Sequence, residues 1–214
     1  MARTFIGFYD LDASPSHGLT GDLATRLGTA TETEGFTEGS VYVRSDRAAV
    51  AIVIRYGDRD GFESDGPVGV LLQAADWRSR DADARTYTSA GTVTGNGDVA
   101  SDSSFYIAQR FDTKPEAQRP LVDAILRYVN DYARPIAGFL GGEAFASVDG
   151  TRVVFLMPWA HEAALNALEN RDGSLAAMQK HLSLSDRHTY GSYQRVSFLR
   201  GGTPQAQAAR QSAT

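Results

Sequence analysis

The feature of the sequence that most constrains the fold is an internal repeat with a single offset of 103 residues. Gly35-Phe36 recurs as Gly138-Phe139, and the same offset relates matches along most of each half. The other matched pairs are Phe8 with Phe111, Gly39 with Gly142, Asp46 with Asp149, Val50 with Val153, Thr86-Tyr87 with Thr189-Tyr190, and Ser89 with Ser192. One offset without a gap indicates a tandem duplication of a single supersecondary unit.

The duplication divides the chain into four segments. We interpret residues 1–95 as a degenerate ferredoxin-like repeat, 96–103 as a linker, 104–200 as the second repeat and 201–214 as a disordered tail. Gly, Ser, Thr and Asp are concentrated around the join between the repeats, as is typical of a linker. The tail has no apolar periodicity, which is typical of an unfolded terminus.

The second repeat has the clearer pattern of elements. Asp149-Gly150 separates two apolar runs, as in a β-hairpin. Thr113 and Glu116 have the spacing of a helix capping box. The predicted elements are a strand over Phe105–Phe111, a helix through Leu121–Tyr132, the hairpin Ala144–Trp159, helices over His161–Leu168 and Ser174–Leu182, and a strand over Tyr190–Leu199. This order, β-α-β-β-α-β, predicts a ferredoxin-like unit.

The second hairpin strand indicates how two such units combine. Val153, Phe155, Met157 and Trp159 share one face of that strand, while Val154, Leu156 and Pro158 share the other. Because both faces are apolar, both should be buried. Helices cover one face, so the other requires a second sheet. We therefore predict an α+β fold in which two tandem ferredoxin-like repeats pack sheet to sheet as a dimeric-type α+β barrel.

Composition excludes several classes of function. The net charge is −5 and no basic block occurs, which argues against a nucleic-acid partner. No run of 18 apolar residues and no signal-peptide pattern is present, so we expect no membrane partner and a cytoplasmic location. The chain has no cysteine, which removes disulfides, thiolate metal sites and Cys nucleophiles.

The common catalytic templates are also missing from the sequence. It contains no H-E-x-x-H, no G-x-S-x-G, no P-loop and no G-x-G-x-x-G after a strand. A site of two histidines and one carboxylate, or a haem held by His181 or His188, stays open on residue types alone. Our expectation is that the protein uses no metal.

Several segments of the second half resemble the antibiotic biosynthesis monooxygenase family. They are Gln109-Arg110-Phe111, Lys114–Gln118, Gly138–Gly142, Ser147–Gly150, and Val153–Trp159 followed by His161-Glu162-Ala163. The resemblance covers most of residues 104–200, and the first half is similar only through the repeat. It implies a dimeric α+β barrel that oxidises phenolic or anthrone-like aromatic polyketides with O2. The angucycline ring-opening oxygenases are larger relatives of this kind.

The resemblance also carries expectations about cofactors and partners. It implies that no cofactor is bound, although reduced flavin is a diffusible cosubstrate for some relatives, which would make a flavin reductase a partner. It further implies a small aromatic polyketide as ligand, and a homodimer is a further expectation. Similar barrels serve as polyketide cyclases, so a cyclase and a non-catalytic ligand-binding protein are the alternative functions.

The hairpin strand departs from the family pattern at two positions. Trp159 matches the family's tryptophan at the end of the strand. Family hydroxylases tend to carry an asparagine where this chain has Phe155, and often a tyrosine where it has Leu165. In the first repeat Tyr56 occupies the position of Trp159. The residues that we expect to bind the substrate are Phe155, Met157, His181, Tyr190 and Tyr56.

Three residues are candidates for catalysis. His188 lies at the start of the last strand, and an unperturbed pKa of about 6.5 suits a base that takes a phenolic proton. The indole N–H of Trp159 can donate to a substrate oxygen. Arg110 lies among aromatic residues of a strand and can stabilise an enolate if it points inward. The sequence mate of His188 is Arg85, which cannot act as a base near neutral pH.

The expectation of metal independence is tested with a chelator. Turnover should be unchanged after treatment with EDTA, because the sequence offers neither cysteine nor a compact His/carboxylate motif. Oxygen uptake measured before and after chelation is the readout. Activity that is lost with the chelator and restored by Fe(II) or Zn(II) would contradict the expectation.

Overall fold

The computed structural model describes residues 2–11, 21, 23, 25, 27–28, 35–57, 79–97 and 105–201. These residues form two compact units, one of Met1–Tyr87 with Arg195–Thr214 and one of Thr88–Gln194, which we call unit 1 and unit 2. The predicted disordered tail and most of the predicted linker lie outside the described residues. Among the described residues, no helix has the length and hydropathy needed to cross a membrane.

Eight antiparallel strands are hydrogen-bonded in the order β1-β3-β2-β8-β5-β7-β6-β4, which closes a barrel. Their bounds are β1 Arg3–Leu11, β2 Phe36–Arg44, β3 Ala49–Tyr56, β4 Ser79–Thr94, β5 Phe105–Asp112, β6 Gly141–Ser147, β7 Arg152–Trp159 and β8 Arg187–Arg200. β4 and β8 each begin in one unit and end in the other. The predicted α+β barrel is confirmed.

Unit 2 contains the helices that cover one face of its sheet. Helix α1 spans Pro115–Tyr128 and continues as a π-helical turn over Val129–Ala133, while α2 spans Glu162–Glu169 and α3 spans Ser174–Leu182. The apolar stripe of α1 is buried against β5 and β7 in one cluster. Because helical spacing places Leu121, Val122 and Ile125 on one face, the helix and the sheet share a single core.

The β-hairpins of the two units have the same turn and the same register. In each turn an aspartate oxygen accepts the backbone N–H two residues further on, from Ala48 to Asp46 at 2.9 Å and from Thr151 to Asp149 at 3.0 Å. Val41 pairs with Ile52 in unit 1, and Ala144 pairs with Phe155 in unit 2. Each partner of the second pair lies 103 residues after its counterpart, so the offset holds for the backbone pairing.

A second feature is common to the bases of the two hairpins. A glycine with positive φ precedes a phenylalanine, which packs against an aromatic residue at the end of the hairpin. Gly35 and Gly138 have φ of 89° and 93°, a conformation that glycine adopts without steric cost. Phe36 meets Tyr56 edge to face at 6.1 Å, and Phe139 meets Trp159 edge to face at 5.2 Å. Trp159 therefore has a packing counterpart in unit 1.

Matches of the repeat outside the hairpins are wrong at the level of strand pairing, including those of Phe8 with Phe111 and of Thr86-Tyr87 with Thr189-Tyr190. Phe111 pairs with Val153, but Val50, the counterpart of Val153, pairs with Tyr9 and not with Phe8. One residue of difference turns a side chain to the opposite face of a strand. Phe8 is accordingly absent from the buried cluster of unit 1 that contains Phe5 and Tyr9.

Arg85 is likewise not the structural counterpart of His188. Arg85 pairs with Ile6 and donates its Nε–H to Asp83 at 3.0 Å, whereas His188 pairs with Phe111. The residue that pairs with Tyr9 in β4 is Ala82. The pairing of β4 with β1 thus differs from the pairing of β8 with β5, and a gapless alignment of sequence cannot detect such a shift.

The predicted capping box of α1 is not formed. The N-cap residue is Lys114, and its side chain makes no capping hydrogen bond. Pro115 occupies the first turn, where its missing N–H costs nothing. The hydroxyl of Thr113 instead donates to the carbonyl of Leu184 at 3.3 Å, which ties the start of α1 to the segment before β8.

Gln118 on α1 holds the β6–β7 hairpin against the helix. Its side-chain amide donates to the carbonyls of Ser147 and Arg152, each at 3.0 Å. The hydroxyl of Ser147 in turn donates to Asp149 at 2.6 Å. The Ser147 carbonyl also accepts the backbone N–H of Gly150 at 3.0 Å, so Gln118 adds a second donor there and joins the two sides of the turn to the helix.

Replacement of this amide tests its contribution to the fold. Gln118→Leu should lower the free energy of unfolding by about 2 kcal/mol, because two hydrogen bonds from the helix to the hairpin are lost. The control is Gln179→Leu on the exposed side of α3, which should change it by less than about 0.5 kcal/mol. Urea unfolding measures both variants, and equal midpoints would contradict the role assigned to Gln118.

Candidate functional site in unit 2

The candidate site lies on the face of the unit 2 sheet that the helices cover. Alternation along β5 and β7 places seven side chains on this face, and they pack with α1 and α2 in one buried cluster. From β5 they are Phe105, Ile107 and Phe111, and from β7 they are Val153, Phe155, Met157 and Trp159. Besides Gln109, which lies between Ile107 and Phe111 on the same face of β5, two places at opposite ends of the sheet carry buried polar atoms without a hydrogen-bond partner.

The first place is the tryptophan end, which consists of Phe139, Phe155, Met157 and Trp159. Trp159 is completely buried, and its Nε1–H has no hydrogen-bond partner. The ring of Phe155 lies against the bare backbone of Gly142, where an added Cβ would be 2.6 Å from the ring. The aromatic ring therefore fills the position at which family hydroxylases tend to have an amide, and apart from the indole N–H this end is apolar.

The second place is the histidine end, which consists of Phe111, Tyr128, His181 and His188. The imidazole of His188 is stacked on the ring of Phe111, with centroids 4.6 Å apart and planes at 26°. His181 meets Phe111 at 6.0 Å and Tyr128 at 5.0 Å, in both cases edge to face. Two imidazoles from different elements, α3 and β8, thus contact one phenylalanine.

The nitrogens of these imidazoles lack hydrogen-bond partners. His181 is 2% exposed, and neither Nδ1 nor Nε2 has a partner. His188 is half-buried, and its Nε2 has none. Tyr128 does not satisfy them, because its hydroxyl is paired with the hydroxyl of Ser174 at 2.9 Å. A buried imidazole without partners is unfavourable, and sites that bind ligands are where such costs are tolerated.

Burial also changes the protonation of both histidines. Loss of water around His181 lowers its pKa to about 4, and the nearby charge of His188 lowers it further in the same direction. Burial lowers the pKa of His188 as well. Burial raises the pKa of Tyr128, so its phenol stays protonated. Both imidazoles are therefore neutral at pH 7, and each has one nitrogen that can accept a proton.

The structure does not bring the tryptophan and histidine ends together. Trp159 pairs with Phe105 at one end of β5, and His188 pairs with Phe111 at the other. Six residue steps along a strand correspond to about 20 Å. A three-ring aromatic molecule is shorter than that distance, so Trp159 and His188 cannot both contact its reacting atoms.

The other predicted site residues are separated from the histidine end, with one exception. Arg110 lies on the opposite face of β5 from Phe111, and its Nε–H donates to Thr189 at 3.1 Å. Tyr56 is buried in the core of unit 1. Tyr190 is the exception, because its ring is 71% exposed and is stacked on His188 at 6.1 Å with planes 11° apart.

Sequence reasoning missed Tyr128 and Ser174, which form the wall behind His181. The helical spacing of α1 identified its buried face but gave no sign that a hydroxyl on that face pairs with a serine of α3. A serine at the start of a helix is usually read as a cap, and here the N-cap residue is Gly173. No sequence pattern distinguishes such a buried hydroxyl pair from ordinary core packing.

Solved structures with a similar fold are found among monooxygenase-like proteins. The chain resembles an anthrone oxidase-like protein (TM-score 0.71, 14% identity, 94% of each chain). It also resembles a proposed monooxygenase from Fusobacterium nucleatum, with a TM-score of 0.70 and 10% sequence identity over 94% of this chain and 96% of that one. A third similar structure is a ferredoxin fold protein from Listeria monocytogenes related to antibiotic biosynthesis monooxygenases. Its TM-score is 0.54 and its sequence identity is 10%, over 92% of this chain and 95% of that one.

This chain has the fold of the antibiotic biosynthesis monooxygenases. At such identities the likeness concerns the fold, and the chemistry has to be argued from the site itself. No protein-family model matches the sequence, and no curated protein is similar to it. Within the described ranges, no group of three His, Asp or Glu side chains could hold a metal ion.

The lowered pKa of His181 predicts a pH-dependent stability. Between the unfolded value of about 6.5 and the folded value of about 4, the unfolded chain binds one proton more than the native protein. The free energy of unfolding should therefore fall as the pH falls through this range, by about 3 kcal/mol in total from His181.

Urea unfolding of the wild type and of His181→Gln between pH 7 and pH 4 measures this contribution. The variant lacks the titrating group and should have the flatter profile, while groups elsewhere titrate equally in both proteins. Parallel profiles would show that His181 is not buried as a neutral imidazole.

Proposed function

We propose that unit 2 is the catalytic half of an oxygenase that oxidises a flat phenolic or anthrone-like substrate, such as an aromatic polyketide, with O2. The observation that carries this proposal is the environment of His188. Its imidazole is stacked on Phe111 and on Tyr190, and its Nε2 has no hydrogen-bond partner. A neutral imidazole in such a place suits the removal of a proton from an acidic aromatic ligand.

The proposed reaction balances without a metal. His188 Nε2 takes a proton from the acidic methylene of the substrate, which leaves a delocalised carbanion. The carbanion transfers electrons to O2, one oxygen atom forms the new carbonyl, and the other leaves as water with the two hydrogens of the methylene. One ring methylene and one O2 thus become one ring carbonyl and one water. The protein contributes the base, the orientation of the ring and a site with little water.

The histidine end is a better centre for this chemistry than the tryptophan end. Trp159 and Phe139 have close counterparts in Tyr56 and Phe36, which pack in the same edge-to-face manner in unit 1. An interaction that both repeats retain is explained by the packing of the hairpin. His188 has no such counterpart. In unit 1 the residue equivalent to Phe111 is Tyr9, and the residue of β4 that pairs with Tyr9 is Ala82.

Removal of the base is the direct test. His188→Gln should lower turnover of an anthrone-type substrate by roughly 10²–10⁴-fold without loss of the fold, because glutamine keeps a polar side chain but cannot accept the proton. The measurement is oxygen uptake, with and without reduced flavin from a flavin reductase, across pH 6–9.

The control variant is His161→Asn. His161 caps α2 by accepting the N–H of Ala164, a role that asparagine also fills, and it lies outside the histidine end. Turnover by this variant should equal that of the wild type. A folded His188→Gln variant with unchanged turnover would remove His188 from the mechanism. Ring closure without oxygen uptake would indicate a cyclase, and a ligand bound but unchanged would indicate a binding protein.

A further inference from the structure

We propose that His181 is a second catalytic residue, which donates a hydrogen bond from its ring N–H to an oxygen of the substrate while His188 removes the proton. This inference rests on the proposed function and deepens it. It requires a substrate that carries a carbonyl or enol oxygen conjugated with the atom that loses the proton. The substrate class is therefore an enolisable aromatic ketone and not an aromatic hydrocarbon.

The first observation is the complete lack of partners around a buried imidazole. A neutral imidazole always presents one N–H donor and one acceptor nitrogen. In His181, which is 2% exposed, both are without a partner. Buried polar groups in native proteins are nearly always hydrogen-bonded, so an unpaired one calls for a specific explanation. A ligand oxygen at the N–H supplies the missing partner.

The second observation is that the surrounding side chains fix the ring but leave its nitrogens available. Phe111 and Tyr128 both meet the ring edge to face, which limits its rotation. The hydroxyl of Tyr128 is paired with that of Ser174 at 2.9 Å and makes no hydrogen bond to the imidazole. A donor held by packing costs little reorganisation when charge develops on the substrate oxygen.

The third observation is the charge state of the groups that face His181. They are His188 from β8 and Tyr128 from α1, and behind Tyr128 lies Tyr132 of the π-helical turn, which is stacked on it. Glu169 of α2 acts on Tyr128, and Lys180 is an exposed neighbour on α3 itself. None of them is a carboxylate in contact with the imidazole, and burial keeps the pKa of His181 low. The ring is therefore a neutral donor.

The two histidines differ in exposure in the way that this division of roles requires. His188 is half-buried beside the exposed Tyr190, so a proton that it accepts can exchange with water. His181 has no such route and is better suited to a permanent donor than to a base. Removal of the substrate proton places negative charge on the conjugated oxygen, and a neutral N–H stabilises this charge more than it stabilises the ketone.

The experiment separates binding of the carbonyl from turnover. The probes are a hydroxylated anthraquinone, which cannot be oxidised further at this position, and a hydroxylated anthracene without the carbonyl groups. Fluorescence titration gives the dissociation constant of each for the wild type, His181→Phe, His188→Gln and His161→Asn. The wild type should bind the ketone about tenfold more tightly than the hydrocarbon, as expected for one hydrogen bond.

His181→Phe should abolish this preference, because phenylalanine preserves an aromatic ring but has no donor. His188→Gln and the control His161→Asn should retain it. With anthrone as substrate, His181→Asn should keep more turnover than His181→Phe, since an amide still offers an N–H. Nitrogen-15 NMR of histidine-labelled wild type, which avoids any folding defect of a variant, should show a shift of the His181 ring N–H with the ketone and none with the hydrocarbon.

The possible results distinguish the two proposals. A folded His181→Phe variant that still prefers the ketone overturns the assignment of His181, as does a wild-type spectrum in which the His181 resonance is unchanged by ketone, since water alone would then satisfy the ring. Oxidation of anthrone by the wild type together with either result leaves the proposed function intact. A wild type that binds ketone through His181 but takes up no oxygen overturns the oxygenase and leaves a ketone-binding site.

Discussion

The register of the β6–β7 hairpin is the constraint on which the rest of unit 2 depends. Asp149 fixes the turn by accepting the N–H of Thr151, and Gln118 ties both strands to α1. Side chains alternate along a strand, so a slip of one residue would turn Phe155 and its neighbours away from the helices. With that register set, β5 aligns with β7 and β8 aligns with β5, which places His188 against Phe111.

A buried imidazole beside a half-buried one is an unusual element in such a core. Each unpaired nitrogen removes stabilisation that an apolar residue of similar size would preserve, and the cost is about 1–3 kcal/mol for a buried polar group. His181 also makes the fold less stable in acid, because the unfolded chain gains its proton first. Nothing in the packing of Phe111 and Tyr128 requires a polar ring between them. A buried polar group that lacks a partner and does not improve packing is typical of a functional site.

The sequence was sufficient for the architecture and insufficient for the geometry of the site. Alternation in β7 predicted both buried faces, and the offset between Asp46 and Asp149 predicted equivalent turns, because these signals are local and periodic. The sequence offset also made Phe8 equivalent to Phe111 and Arg85 equivalent to His188, and the register of the strands contradicts both equivalences. Register depends on hydrogen bonds between distant segments. For the same reason the sequence could not reveal that Trp159 and His188 lie at opposite ends of one sheet.

The differences between the two repeats bear on where chemistry can be placed on this barrel. Both repeats retain the glycine and aromatic pair at the base of the hairpin, so those residues maintain the fold in each copy. The copies differ in their fourth strand, since His188 of β8 pairs with Phe111 and Ala82 of β4 pairs with Tyr9. A change there leaves the hairpin intact. One copy can therefore accept the cost of these imidazoles while the other keeps the apolar cluster around Tyr9, and this asymmetry supports the proposal that the protein acts on its ligand at the histidine end.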